Sequence, residues 1–421
     1  MVIETTKSNT TRRLFLKQVA QSVGAMPSLA PLSLGPTVIE ATDAASGLLA
    51  SAANRTLVVI QLMGGNDGIN TLVPYSQQAY YQVRPTLGLK QSEILPIDGD
   101  VALNGNMGGI MGLYRNNNAA IVQGVSYPNP NRSHYEATAI WESAYPNTPL
   151  SNGWLGRYLD ASRKIDNSIT AVSLGDLLPM TLQGASSSAI SVGSLQRFKV
   201  SPLTNKSGPA DSAFKDLDSV QCVSCAEYNS LVSQMTQQGL DAMTASAIIT
   251  QAASGYQAKV TYPNNDFANR LKLAAGIITS SLKPRIVYVT LGGFDTHANQ
   301  RATQDKLLLT LSDGLAAFYN DLSSQGRAND TLMMTFSEFG RRVKENGSQG
   351  TDHGTALPQF IIGGRVSPGL YGTYPSLTDL EQGDLKFNVD FRQVYGTVLE
   401  DWLGIDQTTV LGSKYNKLSV V

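Results

Sequence analysis

The chain has little of what several classes of protein need. It contains 2 cysteines in 421 residues, which excludes a small fold held together by many disulfides. Charged residues make up 15% of the sequence, whereas about a quarter is usual in soluble proteins. The formal net charge is -1, and binding to nucleic acid needs a clear basic excess. We therefore expect no nucleic-acid partner.

Histidine is also scarce, and its placement is informative. The 3 histidines are His134, His297 and His353, and each stands beside Ser, Thr or Asp in a polar, turn-like stretch. Histidine binds metals and transfers protons near neutral pH. The pattern favours a functional site, and the alternative is chance proximity to polar neighbours.

The first residues resemble a twin-arginine export signal. Residues 11–17 carry the paired Arg12 and Arg13, and a mildly apolar stretch follows at residues 19–34. Glutamine and two prolines interrupt that stretch, so we expect no stable transmembrane helix, which needs about 20 apolar residues. We interpret residues 1–52 as a signal and linker that direct the chain through the twin-arginine translocase to the periplasm or beyond. The alternative is a basic surface helix, and small residues leave two candidate cleavage sites.

Apolar runs alternate with helical patterns along the rest of the chain. Predicted strands cover residues 56–63, 119–125, 169–174, 285–291, 331–336 and 359–362. Predicted helices cover residues 133–144, 267–281, 307–324 and 391–403, and Asp266 is the expected N-cap of the second of these. This alternation predicts an α/β fold in which helices cover both faces of a mostly parallel sheet.

Residues 184–260 differ in composition from the rest. They are rich in Ser and Gln and contain a polar helix candidate at residues 227–254. We interpret them as an insertion that could cap a site. Cys222 and Cys225 fall inside it, and a disulfide, two inert thiols or a reactive pair all fit this spacing.

Polar clusters follow four predicted strands, and a fifth precedes the last strand. In chain order their chemically active members are Asp67; Arg132, Ser133 and His134; Asp295 and His297; Glu338; and Asp352 and His353. The carboxyl ends of parallel strands share one edge of a sheet, so the first four clusters should meet. Carboxylates and imidazoles suit Zn²⁺ or Mn²⁺, and crowded carboxylates need a cation or protons. Any single member could instead be a helix cap or turn former.

Five motifs together resemble a known family. They read Met-Gly-Gly-Asn-Asp-Gly at 63–68, Asn-Arg-Ser-His-Tyr at 131–135, Gly-Gly-Phe-Asp-Thr-His at 292–297, Phe-Ser-Glu-Phe-Gly-Arg at 336–341 and Asp-His-Gly at 352–354. The chain resembles the exported bacterial family called domain of unknown function 1501, which itself resembles the alkaline phosphatase and sulfatase superfamily. The resemblance implies a three-layer α/β/α sandwich for residues 53–421.

The same resemblance implies a metal-dependent hydrolase of phosphate or sulfate esters. Its substrate would be a small or polymer-borne anionic ester, and its metal zinc or, alternatively, manganese, calcium or magnesium. The implied metal ligands are Asp67, Asp295, His297, Glu338 and His353, and the clustering of carboxylates adds Asp352 as a candidate. Ser133 matches the nucleophile, with Arg132 and His134 beside it. Phe339 departs from the superfamily pattern, because it follows Glu338 where a histidine ligand is expected.

Two other functions remain open from the sequence. One is a non-catalytic envelope protein for binding or assembly that keeps the fold and a structural metal. The other is a serine hydrolase that pairs Ser133 with His297 or His353. The sequence lacks the Gly-x-Ser-x-Gly elbow typical of many serine hydrolases, which counts against the second.

Overall fold

The computed structural model describes residues 52–147, 151–163, 170–175, 178–187, 189–192, 251–252 and 254–421, together with residues 47, 49 and 249. The chain divides into units of residues 1–44 and 45–421, and all described residues belong to the second unit. The predicted export signal, Cys222 and Cys225, and most of the predicted insertion lie outside the described residues. Those predictions therefore stay predictions.

Short strands and helices alternate along the described residues. The strands are β1 Thr56–Met63, β2 Leu72–Val73, β3 Ile94–Pro96, β4 Ala102–Asn104, β5 Ala119–Ser126, β6 Ala171–Leu174, β7 Ile190–Ser191, β8 Ile286–Gly292, β9 Thr331–Phe336, β10 Leu357–Gly363, β11 Gly369–Tyr371, β12 Leu380–Glu381, β13 Asp384–Leu385 and β14 Val389–Asp390. The α-helices are α1 Gly68–Thr71, α2 Gln78–Val83, α3 Gly108–Arg115, α4 His134–Ser143, α5 Trp154–Arg163, α6 Asp266–Ile278, α7 Gln300–Ser324, α8 Phe391–Thr397 and α9 Gln407–Leu411. Short 3₁₀ turns lie at Gln91–Glu93, Met180–Leu182 and Ala328–Asp330, and a π-helix at Val398–Leu403.

The main sheet has the strand order β11-β5-β10-β9-β1-β8-β6-β7, and β14 also pairs with β5. Strand β10 is antiparallel to both of its neighbours, β5 and β9. The other pairings in this sheet are parallel. The start of β10 therefore lies at the same edge as the ends of β9, β1 and β8. This direction brings the loop before β10 to the edge where the other polar loops meet.

Helices cover both faces of the sheet. Side chains alternate between the faces along a strand, so Leu57 and Val59 of β1 join one core, and Val58 and Ile60 join the other. Helices α4, α5 and α8 contribute to the first core, and helices α3, α6 and α7 to the second. The predicted three-layer α/β/α sandwich around a mostly parallel sheet is confirmed.

Two helix starts differ from the sequence prediction. Asn265, and not Asp266, is the N-cap of α6, because its side chain accepts a hydrogen bond from the N–H of Ala268. Helix α7 begins at Gln300, seven residues before the predicted start at 307. Its first two turns bury polar side chains, among them Gln304, and so lack the apolar pattern on which the prediction depended. No helix in the described part of the chain is both long and apolar enough to cross a membrane.

Candidate metal centre

All 3 histidines of the chain meet around one carboxylate, Asp295. Asp295 and His297 lie in the loop after β8, His134 is the first residue of α4, and His353 precedes β10. His134 Nε2 lies 3.5 Å from Asp295 Oδ2, while His297 Nε2 and His353 Nε2 lie 3.0 and 3.4 Å from Oδ1. Four residues from three separate loops thus share one small volume.

Each of the three imidazoles is oriented by an acceptor at Nδ1. The distances are 2.8 Å from His134 to Glu338 Oε1, 3.2 Å from His297 to Asp352 Oδ1, and 2.8 Å from His353 to the carbonyl oxygen of Arg132. Carbonyls and ionised carboxylates only accept, so a ring with such a partner donates from Nδ1. A neutral ring then has its lone pair on Nε2, the atom that faces Asp295. Metal-binding histidines are usually oriented in this way.

Two observations show that the Nε2 atoms fit a cation. His297 Nε2 and His353 Nε2 lie only 2.9 Å apart, and two lone pairs at this distance repel unless a proton or a cation lies between them. His134 Nε2 is shielded from solvent and has no hydrogen-bond partner. Ligand atoms of His134, Asp295 and His353 lie within 4.8 Å of one another. Imidazole nitrogens with one carboxylate form a donor set that Zn²⁺ accepts.

The local charges keep these groups in metal-binding form. Partial burial of Asp295 opposes ionisation, but the hydrogen bond and charge of Arg341, together with His297, lower its pKa to about 2. Burial lowers the pKa of His353, and the nearby Arg341 lowers it further. The carboxylate is therefore ionised and the His353 imidazole is neutral at physiological pH.

Phe339 forms one wall of this centre. It is buried, and its ring centroid lies 4.8 Å from that of His134 and 4.5 Å from that of His353. At the position where the superfamily pattern has a histidine, this chain therefore has an apolar side chain packed against two histidines.

Asp67 has other partners. Its side chain and that of Arg84 are completely buried, and Arg84 Nη1 lies 2.5 Å from Asp67 Oδ2. Gln300 Nε2 also donates to Oδ2, and Oδ1 caps α1 by accepting from the N–H groups of Ile69 and Asn70. Arg84 already supplies the positive charge that this carboxylate needs, so we leave Asp67 out of the centre proposed below.

Glu338 and Asp352 contact histidines at Nδ1, and they do not belong to the group of ligand atoms that converge around Asp295. Glu338 is buried, and its Oε1 also accepts from the N–H of Gly64 at 2.8 Å. Asp352 is exposed, and a hydrogen bond from Asn346, followed by one from His297, lowers its pKa. We predicted both as metal ligands, and the structure brings them to the Nδ1 side of His134 and His297.

Ser133 and Arg132 lie beside the centre. Ser133 is exposed and immediately precedes the first turn of α4, and its hydroxyl makes no capping hydrogen bond. The guanidinium of Arg132 pairs with the buried carboxylate of Asp384. His134, which we grouped with the catalytic residues, has the geometry of a ligand.

A cleft of about 520 Å³ opens next to His134 and Glu338. Its lining is mainly apolar or neutral, with Met63, Gly64, Ala139, Met180, Gly292 and Gly293 among its members. Glu142 also lines the cleft. Burial raises the pKa of Glu142 to about 7, although hydrogen bonds from two backbone N–H groups act in the opposite direction. Among the described residues that line the cleft there is no Lys or Arg.

A model of the family described as "Protein of unknown function (DUF1501)" matches residues 117–417. The chain belongs to this family. No curated protein matches it.

Several solved structures are similar over most of the chain at very low identity. The lipoteichoic acid synthase LtaP from Listeria monocytogenes is 8% identical, with 90% of this chain and 81% of that chain covered and a TM-score of 0.38. PsFucS1 sulfatase from Pseudoalteromonas sp. is 12% identical, with 94% and 80% covered and a TM-score of 0.37. The zinc complex of the C-terminal periplasmic domain of EcEptC from Escherichia coli is 10% identical, with 87% and 92% covered and a TM-score of 0.37.

Sequence reasoning missed Arg341. This residue ends the motif at 336–341, yet we assigned it no role. Its side chain is completely buried and donates to Asp295 Oδ1 at 2.8 Å. The available signal was an arginine beside a glycine, just after a strand, in a chain with few charges.

Proposed function

We propose that this DUF1501 protein is an exported, metal-dependent hydrolase of phosphate or sulfate esters. The observation that carries the proposal is the convergence of the three histidines on Asp295, each with its Nδ1 occupied and its Nε2 turned inward. Apolar packing alone does not require three histidine rings to be oriented by three separate hydrogen-bond acceptors. It is the arrangement expected around a bound cation.

His134, Asp295, His297 and His353 would hold the ion. When bound, a divalent ion polarises an ester oxygen and lowers the pKa of the attacking hydroxyl or water. Zinc is the first choice for this donor set, and manganese, calcium and magnesium are alternatives. Glu338, Asp352 and the Arg132 carbonyl keep the rings in place.

Ser133 is the proposed nucleophile, because it stands next to His134 and at the start of α4. A helix N-terminus also favours an anionic group, such as the phosphate or sulfate of a substrate. The 520 Å³ cleft beside His134 would receive the rest of the ester.

Elemental analysis and an ester panel test this proposal. The full chain should purify with a divalent metal and hydrolyse at least one phosphate or sulfate ester, and chelation should abolish turnover. Asp295→Asn and His353→Ala should lose both metal and turnover while they remain folded. Asp379→Asn is the matched control, because its carboxylate is 71% exposed and pairs only with Lys386 at the surface.

Two outcomes would reject parts of the proposal. A wild-type chain that takes up no metal from Zn²⁺ or Mn²⁺ solutions rejects the centre. A metal-loaded chain that hydrolyses no ester in the panel rejects catalysis and favours a non-catalytic envelope protein with a structural metal. The exposed Ser133 hydroxyl, for which the described residues supply no hydrogen-bonded base, is the observation that favours this second function.

Export rests on the paired arginines of the signal. Arg12→Lys together with Arg13→Lys should leave the protein in the cytoplasm, because the twin-arginine route recognises that pair. Cell fractionation measures this. Unchanged export of the double variant would contradict the assignment.

A further inference from the structure

Arg341 is a buried cation that faces the candidate centre. Its side chain has no exposed surface, and its Nη2 donates to Asp295 Oδ1 at 2.8 Å. Its Nη1 lies 3.4 Å from His297 Nε2. A permanent positive charge therefore lies against two of the four groups that would hold a metal.

Backbone carbonyls from three loops fix the guanidinium in place. Its Nε donates to Gly65 at 2.7 Å, its Nη1 to Thr351 at 2.9 Å, and its Nη2 to Gly64 and, at 3.0 Å, to Phe294. These carbonyls belong to the loops after β1, after β8 and before β10. The position of Arg341 therefore does not depend on Asp295 alone.

The two glycines are adapted to this contact. Gly64 and Gly65 have φ values of 114° and 76°, in a region that side chains other than glycine rarely adopt. A Cβ at Gly65 would also collide with the ring of Phe339. The motif at 63–68 thus supplies carbonyl groups to the arginine that ends the motif at 336–341.

The remaining ligands suffice for one ion. In the described part of the chain, one group of three or more possible ligands converges, namely His134, Asp295 and His353. His297, whose Nε2 lies 3.0 Å from Asp295 Oδ1, would add a third nitrogen. Glu338 and Asp352 are used to orient histidines. A second dication beside Arg341 would meet a fixed like charge, and the neighbouring carboxylates of Glu338 and Asp352 already contact histidines.

We propose that Arg341 is a positioning residue that holds Asp295 in place, and that the centre holds a single divalent ion. The inference rests on the metal centre proposed above. Arg341 binds one oxygen of Asp295 and leaves the other directed at His134. Its planar fork matches the carboxylate and carbonyl oxygens around it in a way that lysine cannot.

The test uses the full chain loaded with Zn²⁺ or Co²⁺. Metal content per chain, affinity in competition with a chelating dye, and the visible spectrum of the Co²⁺ form are measured. The wild type should bind one ion. Arg341→Lys should bind it about 10–100-fold more weakly and should change the Co²⁺ spectrum, since Asp295 loses its fixed partner.

Arg84→Lys is the matched control. Arg84 is likewise a buried arginine with a carboxylate partner, and it also donates to the carbonyls of Val343 and Arg342. Its replacement should reduce stability but leave the metal affinity and the Co²⁺ spectrum unchanged. A purely structural role of Arg341 would make the two variants behave alike.

The outcomes separate this inference from the proposed function. One ion per wild-type chain, with weakened affinity and a changed spectrum only in Arg341→Lys, supports it. Two ions per wild-type chain overturn it and leave the metal centre standing. One ion bound equally well by wild type and Arg341→Lys removes the role of Arg341. No ion in the wild type overturns the centre and the inference together. The number of metal ions per wild-type chain decides whether the centre holds a single ion, even if Arg341→Lys does not fold.

Discussion

Replacing Asp67 with Asn tests whether this buried carboxylate stabilises the fold or binds metal. The Asp67 and Arg84 side chains both have 0% exposure. Removing one partner of a buried ion pair leaves an uncompensated charge, at a cost of about 3–5 kcal/mol. Asn keeps the shape and can still cap α1, so the expected loss comes from the stranded Arg84. We expect the free energy of unfolding to fall by an amount in that range.

Urea denaturation followed by tryptophan fluorescence is the assay. The three tryptophans Trp141, Trp154 and Trp402 are all buried, so their emission should change on unfolding. Metal-free protein is used, so that ion binding adds nothing to the stability. The double variant Asp67→Asn with Arg84→Met should recover part of the loss, because it removes both charges.

Metal content distinguishes the two roles of Asp67. Asp67→Asn should bind as much metal as the wild type under conditions where it is folded. An unfolding free energy within about 1 kcal/mol of the wild type, combined with reduced metal content, would refute the reasoning and restore Asp67 as a ligand.

Two further predictions concern the residues around the centre. Burial raises the pKa of Glu142 from 4.5 to about 7, so between these pH values the native state holds a proton that the unfolded chain has released. Stability should therefore fall as pH rises through this window, by about 3 kcal/mol in all, and Glu142→Gln should flatten that part of a stability–pH curve; an unchanged slope would contradict this. Gly64→Ala should cost about 1–3 kcal/mol through its positive φ alone and more because the Cβ meets the backbone of Asp295, with reduced metal affinity as well. Gly292→Ala, whose Cβ meets nothing within 4 Å, is its control, and equal effects in urea denaturation would show that the contact is unimportant.

The main strands could be predicted because their side chains are buried on both faces. Strands β1 and β9 begin and end where the apolar runs at 56–63 and 331–336 begin and end. The start of α7 could not be predicted, because Gln300 and Gln304 are buried by hydrogen bonds to Asp67 and Asn66. A helix turn that is buried by polar side chains lacks the regular spacing of apolar residues from which a helix is predicted.

The sequence was enough to predict which residues belong to the candidate site, but not what each of them contacts. Position after a strand was enough to single out Asp295, His297 and Glu338. Whether a carboxylate contacts an ion, a histidine or an arginine depends on which side chain stands opposite, and strand position does not specify that. For this reason Glu338 was expected as a ligand but lies at Nδ1 of His134.

The sequence by itself determined the alternation of strands and helices, the apolar strands of the sheet and the identity of the polar loops. These properties follow from local patterns of side chains. The tertiary structure alone decided that β10 runs antiparallel, which brings His353 to the other two histidines. It also decided that Arg84 neutralises Asp67 while Arg341 faces Asp295. Such pairings depend on the direction and register of strands that lie hundreds of residues apart in the chain. Local sequence patterns therefore do not predict them.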